Sequence, residues 1–138
     1  MEKTLVIIKP DAMEANLASE IISRLEKAGL KITSQKRLTL SKSQAEKLYR
    51  EHKGKNFYEG LVRYMTSAPV ILMVAEGKDA VTRLRKLMGP TDPRKAEKGT
   101  IRGDLKAEPI VNQEGIIRNL IHGSDSKAKA EEEIAIFF

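Results

Sequence analysis

Two short stretches, Thr4-Leu5-Val6-Ile7-Ile8 and Val70-Ile71-Leu72-Met73-Val74-Ala75, limit the fold more than anything else in this 138-residue chain. Apart from Thr4, neither offers water a polar side chain, so both read as strands buried on two faces. A sheet built on such strands has to be covered by helices. The first run is ended by Lys9-Pro10-Asp11 and the second is preceded by Pro69.

Helical spacing supplies the cover. Leu17, Ile21, Ile22 and Leu25 recur as one face of a helix, with Asn16 as its N-cap and Gly29 as its stop. From Leu30 to Leu40 the pattern alternates, Ile32, Leu38 and Leu40 sharing one parity, which predicts a half-buried strand. Ser41 and Gln44 have the spacing of a capping box and open a short helix through Tyr49. Gly54 breaks it. A second helix from about Phe57 carries Phe57, Leu61, Val62 and Met65 on one face and is stopped by Pro69. Val81, Leu84 and Leu87 mark a further helix, closed by Met88-Gly89-Pro90.

Thr91 to Ile117 has poor periodicity and reads as a long loop region, a kind of segment that is usually functional. Leu120-Ile121 predicts a brief strand, Lys127 to Glu133 a short charged helix, and Ile134 to Phe138 an apolar closing strand. The order is β-α-β-β-α-β with an inserted helical pair. One α+β domain over residues 1–138 is expected, without repeats or low-complexity tracts.

Composition narrows the chemistry. The chain has no cysteine, which excludes disulfides, thiolate catalysis and cysteine-ligated zinc. Lys plus Arg outnumber Asp plus Glu by 25 to 19, a net charge of +6 that favours a polyanionic partner, nucleic acid or nucleotide phosphate alike. No apolar run is long enough to span a bilayer and no signal-peptide pattern is present, so a soluble cytoplasmic protein is expected.

There are two histidines. His52 lies in the charged turn Arg50-Glu51-His52-Lys53-Gly54 and reads as a surface residue. His122 follows Leu120-Ile121 and precedes the turn-forming cluster Gly123-Ser124-Asp125-Ser126. An imidazole is largely neutral at pH 7 and is a competent nucleophile toward phosphorus; by local context alone a structural histidine is the favoured reading. Neither Gly-x-x-x-x-Gly-Lys-Ser/Thr nor Gly-x-Gly-x-x-Gly occurs, so any phosphates must be held by side chains. Lys9, Arg85, Thr91 and Arg102 are the candidates, although singly each is more often a solvated group. Four of the six aromatics, Tyr49, Phe57, Tyr58 and Tyr64, cluster in sequence. Phe57 or Tyr58 could stack on a base, while Tyr64 reads as core.

In chain order, Ile8-Lys9-Pro10-Asp11, Gly89-Pro90-Thr91-Asp92-Pro93, Gly99-Thr100-Ile101-Arg102-Gly103-Asp104 and Asn119-Leu120-Ile121-His122-Gly123-Ser124-Asp125-Ser126 closely resemble the signature segments of the nucleoside diphosphate kinase family. The resemblance implies a ferredoxin-like antiparallel sheet and ping-pong transfer of a γ-phosphoryl group through a phosphohistidine. The substrates would be nucleoside triphosphates and diphosphates, with Mg²⁺ held mainly by phosphates and waters. By position it implies His122 as nucleophile, Glu133 as the acid that orients the imidazole, Ser124 as its hydroxyl partner, and Tyr49 as the ring behind it. Lys9 and Asn119 would contact the sugar hydroxyl and phosphates. Arg85, Thr91 and Arg102 would hold phosphates, and Phe57 would clamp the base.

Two departures stand out. The stretch Leu105 to Ile117 is longer than the usual family segment, and its apolar pairs, Ile110-Val111 and Ile116-Ile117, either cover the domain's own core or pack against a neighbouring subunit. The chain also stops at Phe138, as in short members of the family; this resemblance implies a homo-oligomer, a tetramer rather than a hexamer. The rival expectation is a ferredoxin-like nucleic-acid-binding module, disfavoured because the two buried runs carry no aromatic or basic residue.

Overall fold

A computed structural model describes all residues from Met1 to Phe138. Its sheet contains β1 (Glu2–Ile8), β2 (Lys31–Leu38), β3 (Val70–Gly77) and β4 (Ile121–Gly123) in the order β2-β3-β1-β4, with every neighbouring pair antiparallel. The two aliphatic runs are the two central strands, as their sequences require. The helices are α1 (Pro10–Glu14), α2 (Ala18–Lys27), α3 (Lys42–Leu48), α4 (Tyr58–Met65), α5 (Ala80–Met88), α6 (Ile101–Leu105) and α7 (Lys127–Phe137). No helix is long and apolar enough to cross a membrane.

Side-chain alternation along β1 and β3 builds two cores, one on each face of the sheet. Val6, Ile8, Ile71, Met73 and Ala75 pack with Ile21 and Leu25 of α2 and Leu84 and Met88 of α5. Leu5, Ile7, Val70 and Leu72 pack with Ala45 and Leu48 of α3, Val62 and Met65 of α4, and Phe137 of α7. Each fully buried Leu or Ile in these layers contributes roughly 1.5–3 kcal/mol relative to exposure. This is the ferredoxin-like α+β arrangement, covered on both faces.

Local signals explain several element ends. Ser41 Oγ accepts from Gln44 N–H and the Gln44 side chain accepts from Ser41 N–H, so the capping box is formed in full. Gly29, at φ +85°, closes α2 with the paired bonds Gly29 N–H to Glu26 O and Leu30 N–H to Leu25 O.

Four elements differ from expectation. Asn16 does not cap α2; it sits at φ +58° in the link from α1, because Pro10 starts a helix of its own directly after β1. β2 is an edge strand and mostly exposed rather than half-buried. A bulge between Ile32 and Ser34 switches its faces, so Ile32 packs on the α2/α5 side and Leu38 on the other. The region 91–117 is not structureless, since it holds a 3₁₀ turn at Pro93–Lys95 and α6, whose N-cap Thr100 accepts from Gly103 N–H.

The fourth difference is the expected closing strand, Ile134 to Phe138, which is the end of the eleven-residue α7. Ser126 caps that helix by accepting from Lys129 N–H, and Lys127 to Ile136 contains strong helix formers and no breaker. Ala130, Glu133 and Phe137 recur at helical spacing on its buried face. Glu133 is thereby turned toward β4.

Candidate active site

His122 is the middle residue of β4 and faces Ile7 of β1 in the register, which places it on the α3/α4/α7 side of the sheet. Its neighbour Gly123 is dictated by the opposite side. A β-carbon there would meet Met88 Sδ at 2.6 Å and Leu84 Cδ2 at 2.7 Å, so any larger residue would force these α5 side chains to shift, and glycine lets α5 lie close to β4 undisturbed.

His122 Nε2 and Glu133 Oε1 are 2.8 Å apart. Ser124 Oγ donates to the same oxygen at 2.8 Å and accepts from Leu5 N–H at 3.3 Å, which ties the carboxylate to the central strand. Burial pushes the Glu133 carboxyl up, but the hydrogen bond and charge of His122, then Ser124 and Lys129, outweigh it and hold the group below its ordinary range. Tyr49 stands edge-on to the His122 ring, at 6.5 Å between centroids and 90° between planes. Burial, reinforced by Glu133, pushes its phenol far up, so it stays neutral.

In front of His122 is a cleft of ≈ 530 Å³. Its lining includes Lys9, Tyr49, Phe57, Arg85, Thr91, Arg102, Asn119, His122 and Glu133, so nine of the ten expected residues meet in one place although α5, α6, β4, α7 and the connections between elements supply them. Ser124 is the tenth and lies fully buried behind Glu133, outside the lining. The Lys9 ammonium donates to Asn119 Oδ1 at 2.7 Å, and Asn119 Nδ2 donates to Thr91 O at 3.0 Å, a chain that joins three of them. Burial brings Lys9 down to about 8; Asp11 opposes that shift and Arg102 adds to it.

The two arginines differ. Arg85 projects from the last turn of α5 as an exposed side chain. Arg102 is only 7% exposed, and its guanidinium donates to three backbone carbonyls: Asn119 O at 3.0 Å, Gly89 O at 3.0 Å and Ile121 O at 2.6 Å. Burial, with Arg85 adding to it, lowers Arg102 to about 10, which leaves it charged at neutral pH. Arg102 therefore ties together the strand that carries His122 as well as facing the cleft.

Phe57 is 42% exposed at the cleft mouth, whereas Tyr58 is buried in the helical core and has no open face for a base. His52 is not the free surface residue expected. It lines the cleft between Tyr49, at 6.4 Å, and Phe57, at 5.2 Å, completing a row of three rings. The signal was its spacing: residue 52 follows Tyr49 by three, one helical turn. The lining also includes Gly115, Ile116 and Ile117. Within the lengthened segment Ile110 and Ile116 are buried inside the chain, Val111 bridges to Ile117, and Asn112 Oδ1 accepts from the N–H groups of Glu114 and Ile116. Two of the four residues in its apolar pairs thus bury against this chain itself. Asp11 also went unnoticed in the sequence, where Lys-Pro-Asp reads as a strand end.

A buried carboxylate backing an imidazole, with cations converging on open space before it, fits a phosphotransferase, in which positioning and charge do most of the catalysis. Helices cover the central strands β1 and β3 on both faces, so neither presents an open face on which a nucleic acid could stack, which counts against the rival reading. The nucleoside diphosphate kinase family model matches residues 2–138. "Nucleoside diphosphate kinase 1" of Protochlamydia amoebophila is 53% identical over 137 residues, covering 99% of this chain and 92% of the relative. The nucleoside diphosphate kinase of Pyrococcus furiosus is 52% identical over 138 residues, covering 100% of this chain and 83% of the relative. Among solved structures, the halophilic enzyme of Halobacterium salinarum, in complex with CDP, superposes with a TM-score of 0.89 at 45% identity over 99% of this chain and 87% of that one. The apo enzyme of Encephalitozoon cuniculi gives 0.90 at 39% identity over 100% and 89%. This chain belongs to the nucleoside diphosphate kinase family.

Proposed function

We propose that residues 1–138 act as one nucleoside diphosphate kinase domain in which His122 is the phosphorylated nucleophile. The observation that carries the reading is the 2.8 Å contact between His122 Nε2 and Glu133 Oε1. An ionised carboxylate only accepts hydrogen bonds, so the ring proton belongs on Nε2 and the lone pair on Nδ1. That lone pair forms the N–P bond to the γ-phosphorus. The bond from phosphorus to the β–γ bridging oxygen breaks, and its electrons leave with the nucleoside diphosphate. A second diphosphate then takes the phosphoryl group by the reverse step.

Lys9, Arg85 and Arg102 offset the charge spread over the equatorial oxygens. Thr91 and Asn119 add polar contacts to phosphates and sugar. Ser124 and Tyr49 keep Glu133 and the imidazole in place. The cleft lining offers carboxylates only from Glu51, Asp125 and Glu133, and Glu133 is engaged by His122 and Ser124. That donor set suits a Mg²⁺ carried in on the nucleotide, since this ion keeps several waters. When bound, it would neutralise part of the phosphate charge. A cytoplasmic location fits a cysteine-free chain with nucleotide substrates, and a homotetramer is the assembly we propose, to be checked by solution mass.

The reading is tested by incubating the protein with ATP labelled on its γ-phosphate and chasing with GDP. The label should appear on the protein in acid-labile form and move to the chase nucleotide. Acid-stable label, or turnover without labelled protein, would overturn it.

Phe57 would stack on the base with no hydrogen bond to it, which would let different bases be accepted. Phe57→Ala should weaken nucleotide binding by about 1–3 kcal/mol and leave kcat nearly unchanged, because stacking holds ground and transition states alike. Steady-state kinetics would check this; a kcat loss with KM kept would contradict it.

A further inference from the structure

Asp11 lies directly after the strand that delivers Lys9, and it is 1% exposed. Both of its carboxylate oxygens are engaged: Leu120 N–H donates to Oδ2 at 2.9 Å and the Tyr64 hydroxyl donates to Oδ1 at 2.5 Å. The Tyr64 oxygen in turn accepts from Asp11 N–H at 3.1 Å. Lys9 N–H donates to Leu120 O at 2.9 Å, so Leu120 is held by both of its backbone groups.

Leu120 needs that grip. Its φ is +72°, in the left-handed region that a side chain with a Cβ rarely adopts, and such a conformation persists only when the surroundings over-determine it. Leu120 is also where the chain turns between two working residues. Asn119, on one side, accepts from Lys9 Nζ; β4 begins on the other side and brings His122 two residues later.

We propose that Asp11, braced by Tyr64, is a positioning residue for phosphoryl transfer: it holds Leu120 in the turn that aims Asn119 and His122 into the cleft, and it supplies the negative charge beside the buried ammonium of Lys9. The proposal rests on the reading of His122 as nucleophile. The groups facing that ammonium are Asp11 of α1, Arg102 of α6 and, across its ring face at 5.8 Å, Tyr64 of α4. Among them only Asp11 raises Lys9, which burial holds near 8. Loss of the Asp11 charge therefore lowers Lys9 further, and the phosphate-binding charge disappears at a lower pH.

Two substitutions separate grip from charge. Asp11→Ala removes the acceptor of Leu120 N–H and should lower kcat by about 10²-fold, the scale of a small misplacement of reacting groups, with KM at pH 7 changed far less. Asp11→Asn keeps an oxygen for that N–H while losing the charge. It should recover most of the rate at pH 7, and the alkaline limb of its kcat/KM profile should move to lower pH than in the wild type. Folding is monitored by circular dichroism and thermal melting, and if Asp11→Ala does not fold, the Asn profile decides. The proposal is overturned by a folded Asp11→Ala variant within about threefold of wild-type kcat, by an Asn variant no faster than the Ala variant, or by an Asn profile whose alkaline limb stays in place. The γ-phosphate labelling of the wild-type protein is run alongside. Its failure would remove the His122 reading itself, whereas normal labelling with unaffected Asp11 variants removes only the positioning role.

Discussion

His122→Ala should lower phosphotransfer by on the order of 10⁴- to 10⁶-fold, the range seen when a covalent nucleophile is deleted, and should leave no acid-labile phosphate on the protein. The fold should survive. The imidazole's polar partner is the Glu133 carboxylate, and its ring borders the open cleft, so its removal opens no sealed cavity in either core. Acid stability should change in a definite direction. Glu133 is held below its ordinary 4.5 against the opposing effect of burial, chiefly by His122. A carboxylate depressed in this way contributes stability that is present above its unfolded value and is lost as pH falls through its folded value. Without His122 the carboxyl moves up, so the variant should unfold in acid at a higher pH than the wild type. Circular dichroism during acid titration measures that shift, and radiolabel transfer measures the loss of activity. A variant that still transfers phosphate at near-normal rate would remove His122 from the mechanism.

The fold was legible wherever a residue's partner lay close in sequence or burial left one option. The two runs, apolar but for Thr4, had to be central strands, and Ser41 with Gln44 had to open a helix, because each rests on local geometry. Ile134 to Phe138 misled because five residues, all of them apolar, do not distinguish strand from helix; the decision came from Ala130 and Glu133 further back, whose spacing continues through Phe137. The face of β2 was misread because a single bulged position inverts parity, and nothing in Ile32-Thr33-Ser34 announces it. At the site, residue types with obvious chemistry were found. What escaped was the hidden scaffolding: Asp11 bonded to a backbone N–H 109 residues away, and the three carbonyls gripped by Arg102. Such contacts leave no spacing pattern in the chain.

That distinction sets the last expected result, which concerns Arg85 and Arg102. Sequence motifs give them one role, phosphate holding, and predict the same kinetic loss for both. The structure separates them. Arg85 is exposed, so Arg85→Ala should cost about 10²–10³ in kcat, the effect of losing one preorganised charge at the transition state, with melting temperature unchanged. Arg102→Ala should lose comparable activity and destabilise the protein as well. It strands the carbonyls of Gly89 and Ile121, while Asn119 O keeps the N–H of Ile121, at a cost on the order of 1–3 kcal/mol for each one that water cannot reach. Arg102→Lys should rescue little, since one ammonium on a flexible stem cannot span three carbonyls as a planar guanidinium does. Thermal melts beside kinetics for Arg85→Ala, Arg102→Ala and Arg102→Lys decide the matter. Equal melting temperatures for the two alanine variants would mean that the carbonyl clamp contributes nothing to stability and that Arg102 acts on phosphate alone.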